Sequence, residues 1–345
     1  IEAALVSSDA IFRFSVSAAT FEAMPVMYTP PRCESEPFAR AMQGCALALG
    51  VAFLLPGMAS GPVLFTIAML LASACSGSLD VIMNLRVSAI EARSKRSLMN
   101  LNHALFSFAY AGAAIVSGLF REAGLAPLAV FSVVMVLTVL MAAFMFHPLA
   151  LLNEDDNARA PVLKQALVVL GGLIILIAFL TEQATEAWSA LHLERGLGGS
   201  AAQGAFGPAI LGLTMGVGRL SGQFIASKAR ETLVLQIAAV IAAVGLVIAA
   251  SAATLQIAYI GFAILGLGVS VMAPMAYSAV GKRVGNKDRA LVITRISVIG
   301  YTGFFIGPPM MGGVSELFGL SVSFYAVAAL LLIVSVILAP RLRKQ

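Results

Sequence analysis

An all-α, multi-pass membrane protein is the fold class this sequence predicts, and three observations predict it. Sixty percent of the residues are hydrophobic and 11% are charged, whereas soluble domains carry about 25% charged residues. Apolar runs long enough to cross a bilayer, which takes about 20 residues each, recur along most of the chain. The alternating segments of a β-barrel, about 10 residues long, are missing, so the backbone must be satisfied within helices.

The spans are predicted at about 41–59, 62–85, 101–120, 127–150, 165–191, 204–226, 232–252, 254–280, 290–314 and 319–340. Ahead of them, the first forty residues carry Glu2, Asp9, Arg13 and Glu22 and contain no clean apolar span. They lack the pattern of a signal peptide. Residues 27–40, MYTPPRCESEPFAR, read as an exposed loop broken by Pro30 and Pro31.

Basic residues set the orientation. With helices alternating, one side receives Arg32 and Arg40, then Arg86, Arg93, Lys95 and Arg96, then Arg159 and Lys164. The same side takes Lys228 and Arg230, the four cations between Lys282 and Arg289, and the basic C-terminus. The other side receives Arg121 and Arg195. The first side is therefore read as cytoplasmic, with the C-terminus inside. The net charge of +5 follows from that bias and does not call for nucleic acid.

An internal repeat organises the chain. SAIEAR at 88–93 matches SAVGKR at 278–283, and YAGAAI at 110–115 matches YTGFFI at 301–306. The offsets, 190 and 191 residues, are nearly equal. In both places the first match ends a span and the second lies in the next one. The expected domains are an N-terminal bundle over 1–150, a polar linker over 151–164 and a C-terminal bundle over 165–345. Two parallel halves of this kind are a transporter arrangement, with substrate near the bilayer midplane between them.

The motifs GSLDVIMN, NLNHALFSF, EQATEAWSALHL, MGVGRLSG and GYTGFFIGPPMMGG, in that order, resemble a poorly characterised bacterial branch of the major facilitator superfamily. The resemblance covers about residues 41–340 and matches the spans to helices three to twelve of that twelve-helix family. It implies that helix one has no counterpart here and that helix two corresponds at best to the N-terminal segment. It further implies a secondary transporter of a small organic solute in the bacterial inner membrane. The family's signature between helices two and three is missing from residues 27–40. In the second half Gly218, Arg219, Gly222 and Lys228 match the corresponding conformational latch, with Gln223 where an acid is expected.

Candidate pathway residues are the polar groups inside spans, because an ionisable side chain in the membrane is costly unless it faces a cavity or a partner. Glu182, Glu186 and Ser189 are spaced i, i+4, i+7 and share one helical face. Glu182 is read as a proton-coupling group, with a structural hydrogen-bonding role as the alternative; for Glu186, beside Trp188, the alternative is an interfacial position. Asp80 and Asn84 form a second i, i+4 pair, and His103, Ser107 and Tyr110 form a polar stripe on the next span. Tyr301 is the counterpart of Tyr110 in the repeat. Asp80 has a structural alternative too, pairing with an arginine of the nearby loop.

Gly212 and Gly216, Gly218 and Gly222, and Gly303 and Gly307 have the spacing that brings helices close together. Cys33, Cys45 and Cys75 have no metal-ligand spacing. No cofactor or metal is expected. The expected partners are a small solute, protons and lipid, in a monomer. A membrane-embedded enzyme, a receptor or scaffold, and an inactive fragment are the competing classes.

Overall fold

The computed structural model describes residues 36–94, 98–142, 165–226 and 229–345. Within them every regular element is helical. The chain divides by its contacts into two units, Ile1–Glu154 and Asp155–Gln345. The predicted linker at 151–164 and Cys33 lie outside the described residues, as does Lys228.

The first unit contains α1 (Glu36–Ala52), α2 (Leu54–Met58), α3 (Pro62–Ser94), α4 (Met99–Glu122) and α5 (Pro127–Ala142). Two expectations are corrected here. The exposed loop predicted through residue 40 gives way at Glu36, where α1 begins. Pro37 stands in the first turn of α1, where a missing N–H costs nothing. The span predicted at 41–59 is broken at Phe53 into α1 and the short α2.

Arg86 and Arg93 were expected in a loop, yet α3 runs unbroken for 33 residues. At 1.5 Å per residue such a helix is about 50 Å long, well beyond a hydrocarbon core of about 30 Å. Arg86 therefore remains helical, and it is buried at 3% exposure. The start of α4 is held by Glu91 of α3, whose carboxylate accepts from the backbone N–H groups of Leu98 (2.5 Å) and Met99 (2.7 Å). This satisfies donors at the start of α4 and places negative charge at its positive end. Glu91→Ala is expected to cost about 1 kcal/mol, as loss of a helix cap does, and thermal unfolding in detergent will read it as a lowered Tm. The core of this unit is Met42, Ala46 and Leu49 of α1 with Leu79 and Met83 of α3 and Phe131 of α5.

The second unit contains α6 (Gln165–Leu191), α7 (Ala201–Ala226), α8 (Glu231–Ala250), α9 (Leu255–Val269), α10 (Met272–Gly281), α11 (Asn286–Phe318), α12 (Leu320–Ile333) and α13 (Ala339–Arg343). A π-helical turn at His192–Gly196 extends α6, and another at Val334–Leu338 joins α12 to α13. The span predicted at 254–280 is interrupted at Ser270–Val271. Pro274 explains the break, because its ring has no N–H to offer the Ser270 carbonyl and clashes with it. Pro308 and Pro309 do not break α11, and Pro208 does not break α7. Gly319, at φ +90°, makes the sharp turn from α11 into α12.

Lipid is as apolar as leucine, so helices in a membrane associate through close packing rather than through the hydrophobic effect. Glycine makes that possible on α6 and α11. A Cβ at Gly303 would lie 2.9 Å from the Leu180 backbone N, and one at Gly307 would lie 2.9 Å from the Leu180 carbonyl oxygen. The same device joins α8 to α9. A Cβ at Gly261 would meet the Ala249 backbone N at 2.5 Å, and one at Gly268 would meet Ala242 N at 2.5 Å.

Among the described residues seven helical segments are long and apolar enough to cross a membrane, with shorter apolar segments at Met42–Met58 and Pro127–Ala142. Large apolar side chains such as Val63, Leu70, Phe305 and Val336 stand exposed, as expected of a surface whose solvent is lipid.

Candidate functional site

In the second unit, α6 carries Glu182 close to the middle of a 32-residue span, Gln165–Gly196. Its carboxylate does not stand alone. A terminal nitrogen of Arg219, on α7, donates to Oε1 at 3.2 Å and to Oε2 at 3.5 Å. The two side chains are only 12% and 14% exposed, so the pair is held within the packed bundle. An isolated charge at this depth would carry a desolvation penalty of several kcal/mol, and pairing is what makes the arrangement tenable. Glu182 was expected on a pathway, and the family resemblance implies a latch role for Arg219; the structure joins them in one ion pair.

The two companions of Glu182 on α6 are buried as well. Glu186 is 6% exposed and Ser189 is fully buried. Ser189 faces α7, where a Cβ at Gly207 would come within 2.9 Å of its hydroxyl. The Glu186 side chain is therefore packed inside the bundle. Trp188 packs beside Gly312 of α11, where an added Cβ would lie 3.3 Å from the indole ring.

One helical turn before Glu182, Phe179 belongs to a stack that the sequence reading missed. Its ring lies 4.6 Å from Phe304 at an interplanar angle of 13°, and 5.7 Å from Tyr301 at 10°. Tyr301 and Phe304 are 6.2 Å apart at 23°. Three rings from α6 and α11 thus run nearly parallel. The i, i+3 spacing of Phe179 with Glu182 and of Tyr301 with Phe304 was the available signal. Tyr301, a candidate pathway residue as the repeat counterpart of Tyr110, is 42% exposed.

Other polar groups of this unit hold structure. His192 Nε2 lies 3.0 Å from the Ala249 carbonyl oxygen, and the ring meets Phe324 edge-on at 5.2 Å. The hydroxyls of Tyr277 and Ser297 are 2.9 Å apart, joining α10 to α11. Gly212, Gly216 and Gly218 are buried on α7. A Cβ at Gly218 would collide with the Ser270 side chain at the break between α9 and α10. Gly222 lies in α7.

In the first unit Asp80 is half-buried on α3 and is hydrogen-bonded by Asn84 one turn later. On α4, Ser107 is 2% exposed and donates to the His103 carbonyl at 2.9 Å. Tyr110 is fully buried and His103 half-buried. The predicted stripe thus runs into the packed interior of this unit. Asn102, which the sequence reading passed over, is also fully buried, and its amide approaches the Met83 sulfur at 3.9 Å. No cluster of residues able to hold a metal occurs among the described residues.

Bundles of membrane-spanning helices, an ion pair inside one of them and buried polar groups inside both describe a secondary transporter. The Major Facilitator Superfamily model matches residues 173–345. An uncharacterised MFS-type transporter of Yersinia pestis is 32% identical over 296 residues, covering 85% of this chain and 76% of the relative. The chain belongs to the Major Facilitator Superfamily. Membrane protein MosC of Rhizobium meliloti is 25% identical over 273 residues, covering 79% of this chain and 66% of that protein. The fold is shared with two solved transporters of low identity. A bacterial homologue of the human lysosomal transporter Spinster superposes with a TM-score of 0.69 at 13% identity, covering 100% of this chain and 96% of that one. The nucleoside transporter NupG superposes with a TM-score of 0.70 at 10% identity, covering 100% of this chain and 92% of that one.

Proposed function

We propose that this protein moves a small organic solute across the bacterial inner membrane by alternating access of its two bundles, coupled to protons through Glu182, with Asp80 as a second acidic group. The observation that carries this reading is the Glu182–Arg219 pair inside a membrane span. A proton on Glu182 would weaken its attraction for the Arg219 guanidinium, so protonation and the arrangement of the two side chains are linked. Intramembrane ionisable residues of this kind mark ion and substrate pathways. A proton gradient supplies the driving force in this reading, and the excess of basic residues on one side supports a cytoplasmic C-terminus.

The test is solute-dependent proton movement in proteoliposomes loaded with a pH-sensitive dye and challenged with sugars, amino acids, carboxylates and organic amines. At least one class is expected to trigger a pH change that a protonophore collapses. No proton movement with any class, alongside measurable solute flux, would remove the coupling; no flux at all from folded protein would remove the transport reading.

A further inference from the structure

We infer that the site takes a planar aromatic solute carrying a protonated amine or similar N–H donor, its ring lying against the shelf formed by Phe179, Tyr301 and Phe304 and its donor reaching Glu182. This rests on the transport reading above and names the substrate class of that site.

Three features point to such an occupant. The shelf rings deviate from parallel by only 10° to 23°, so they present π faces in one orientation rather than the mixed edge-to-face contacts of an ordinary apolar core. Offset stacking on such faces selects flat rings over puckered ones of equal size. Tyr301 is 42% exposed, so the shelf remains accessible on that residue.

The charge beside the shelf fits a donor. Phe179 and Glu182 are three residues apart on α6, which brings their Cβ atoms within about 5–6 Å. Among the described residues the carboxylate is engaged by a single guanidinium nitrogen. A carboxylate offers about four lone-pair sites, so room remains for a second donor. The negative faces of the rings favour a cation as well.

Binding is measured by isothermal titration of purified protein in detergent with 1-naphthylmethylamine and with its fully saturated decahydro analogue, which keeps the amine and the bulk and loses the flat ring. The naphthyl compound is expected to bind saturably and at least about tenfold more tightly, the scale of aromatic stacking and cation–π contacts. Tyr301→Leu and, separately, Phe304→Leu should each remove most of that preference in protein whose circular dichroism is unchanged. Glu182→Gln should weaken the amine while leaving the preference for the flat ring. Equal affinities for the two amines, no saturable binding of either, or a ring preference untouched in both leucine variants would overturn the inference. A protein that transports other solutes yet shows equal affinities keeps the transport reading and loses this one. Ring-selective binding without flux supports the shelf and counts against transport.

Discussion

Replacing Arg219 by Met is expected to destabilise the second unit by about 3–5 kcal/mol, the cost of leaving one member of a buried ion pair without its partner. The logic depends on burial. At 12% and 14% side-chain exposure, neither group can turn to water for the solvation that makes surface pairs almost worthless. The double variant Glu182→Gln with Arg219→Met removes both charges and should recover most of the loss. A double-mutant cycle on unfolding in detergent isolates the pairwise contribution. Additive effects of the two substitutions would show that the pair contributes little. The exposed pair between Lys282 and Glu231 provides the contrast: the lysine side chain is 62% exposed, and its loss should cost less than about 1 kcal/mol.

The second large effect belongs to Gly261. Its α-carbon faces the backbone of α8 so closely that a single added methyl group would meet Ala249 N at 2.5 Å and Ala249 Cα at 2.8 Å. These are backbone atoms, and they cannot rotate aside as a side-chain tip can. Gly261→Leu must therefore push α9 away from α8 and break the neighbouring contacts at Gly245 and Gly268. The expected cost is at the top of the overpacking range or beyond it, about 3 kcal/mol or more. Loss of folded protein on size-exclusion chromatography, or a large fall in Tm, reads it. Gly313, inside α11, where an added Cβ would meet nothing within 4 Å, is a useful control: Gly313→Ala should leave Tm unchanged or slightly raised.

The helical membrane architecture was legible in the sequence because a span must be apolar along its whole length, and no tertiary contact is needed to see that. The close approach at Gly303 and Gly307 was legible for a similar reason, since the four-residue spacing puts both on one face. Gly245, Gly261 and Gly268 escaped because the smallness of the interface is shared with alanines on the partner helix, a pattern that no single helix displays. Helix interruptions were not legible. The apolar run over 254–280 reads as one span although the chain breaks before α10 at Pro274, whereas Pro308 and Pro309 left α11 intact, so proline alone does not decide a break where neighbouring helices support the backbone.

The site was legible only residue by residue. Glu182 and Arg219 stood out because each is an ion in a span, but 37 positions separate them and nothing local pairs them. The ring stack joins α6 to α11 across more than a hundred residues, so its partners could not be matched from spacing. Arg86 shows the opposite failure. Charge alone assigned it to a loop, and the continuation of α3 beyond the bilayer thickness placed it in a buried helix.

The central claim is that Glu182 links proton movement to solute movement. It is tested most directly by comparing two assays on Glu182→Gln in proteoliposomes, with a solute that the unmodified protein accumulates. One is solute exchange at equal concentrations, and the other is uphill accumulation driven by an imposed pH gradient. The account predicts that exchange persists while accumulation falls to the level of protein-free vesicles. Accumulation equal to that of the unmodified protein would contradict it.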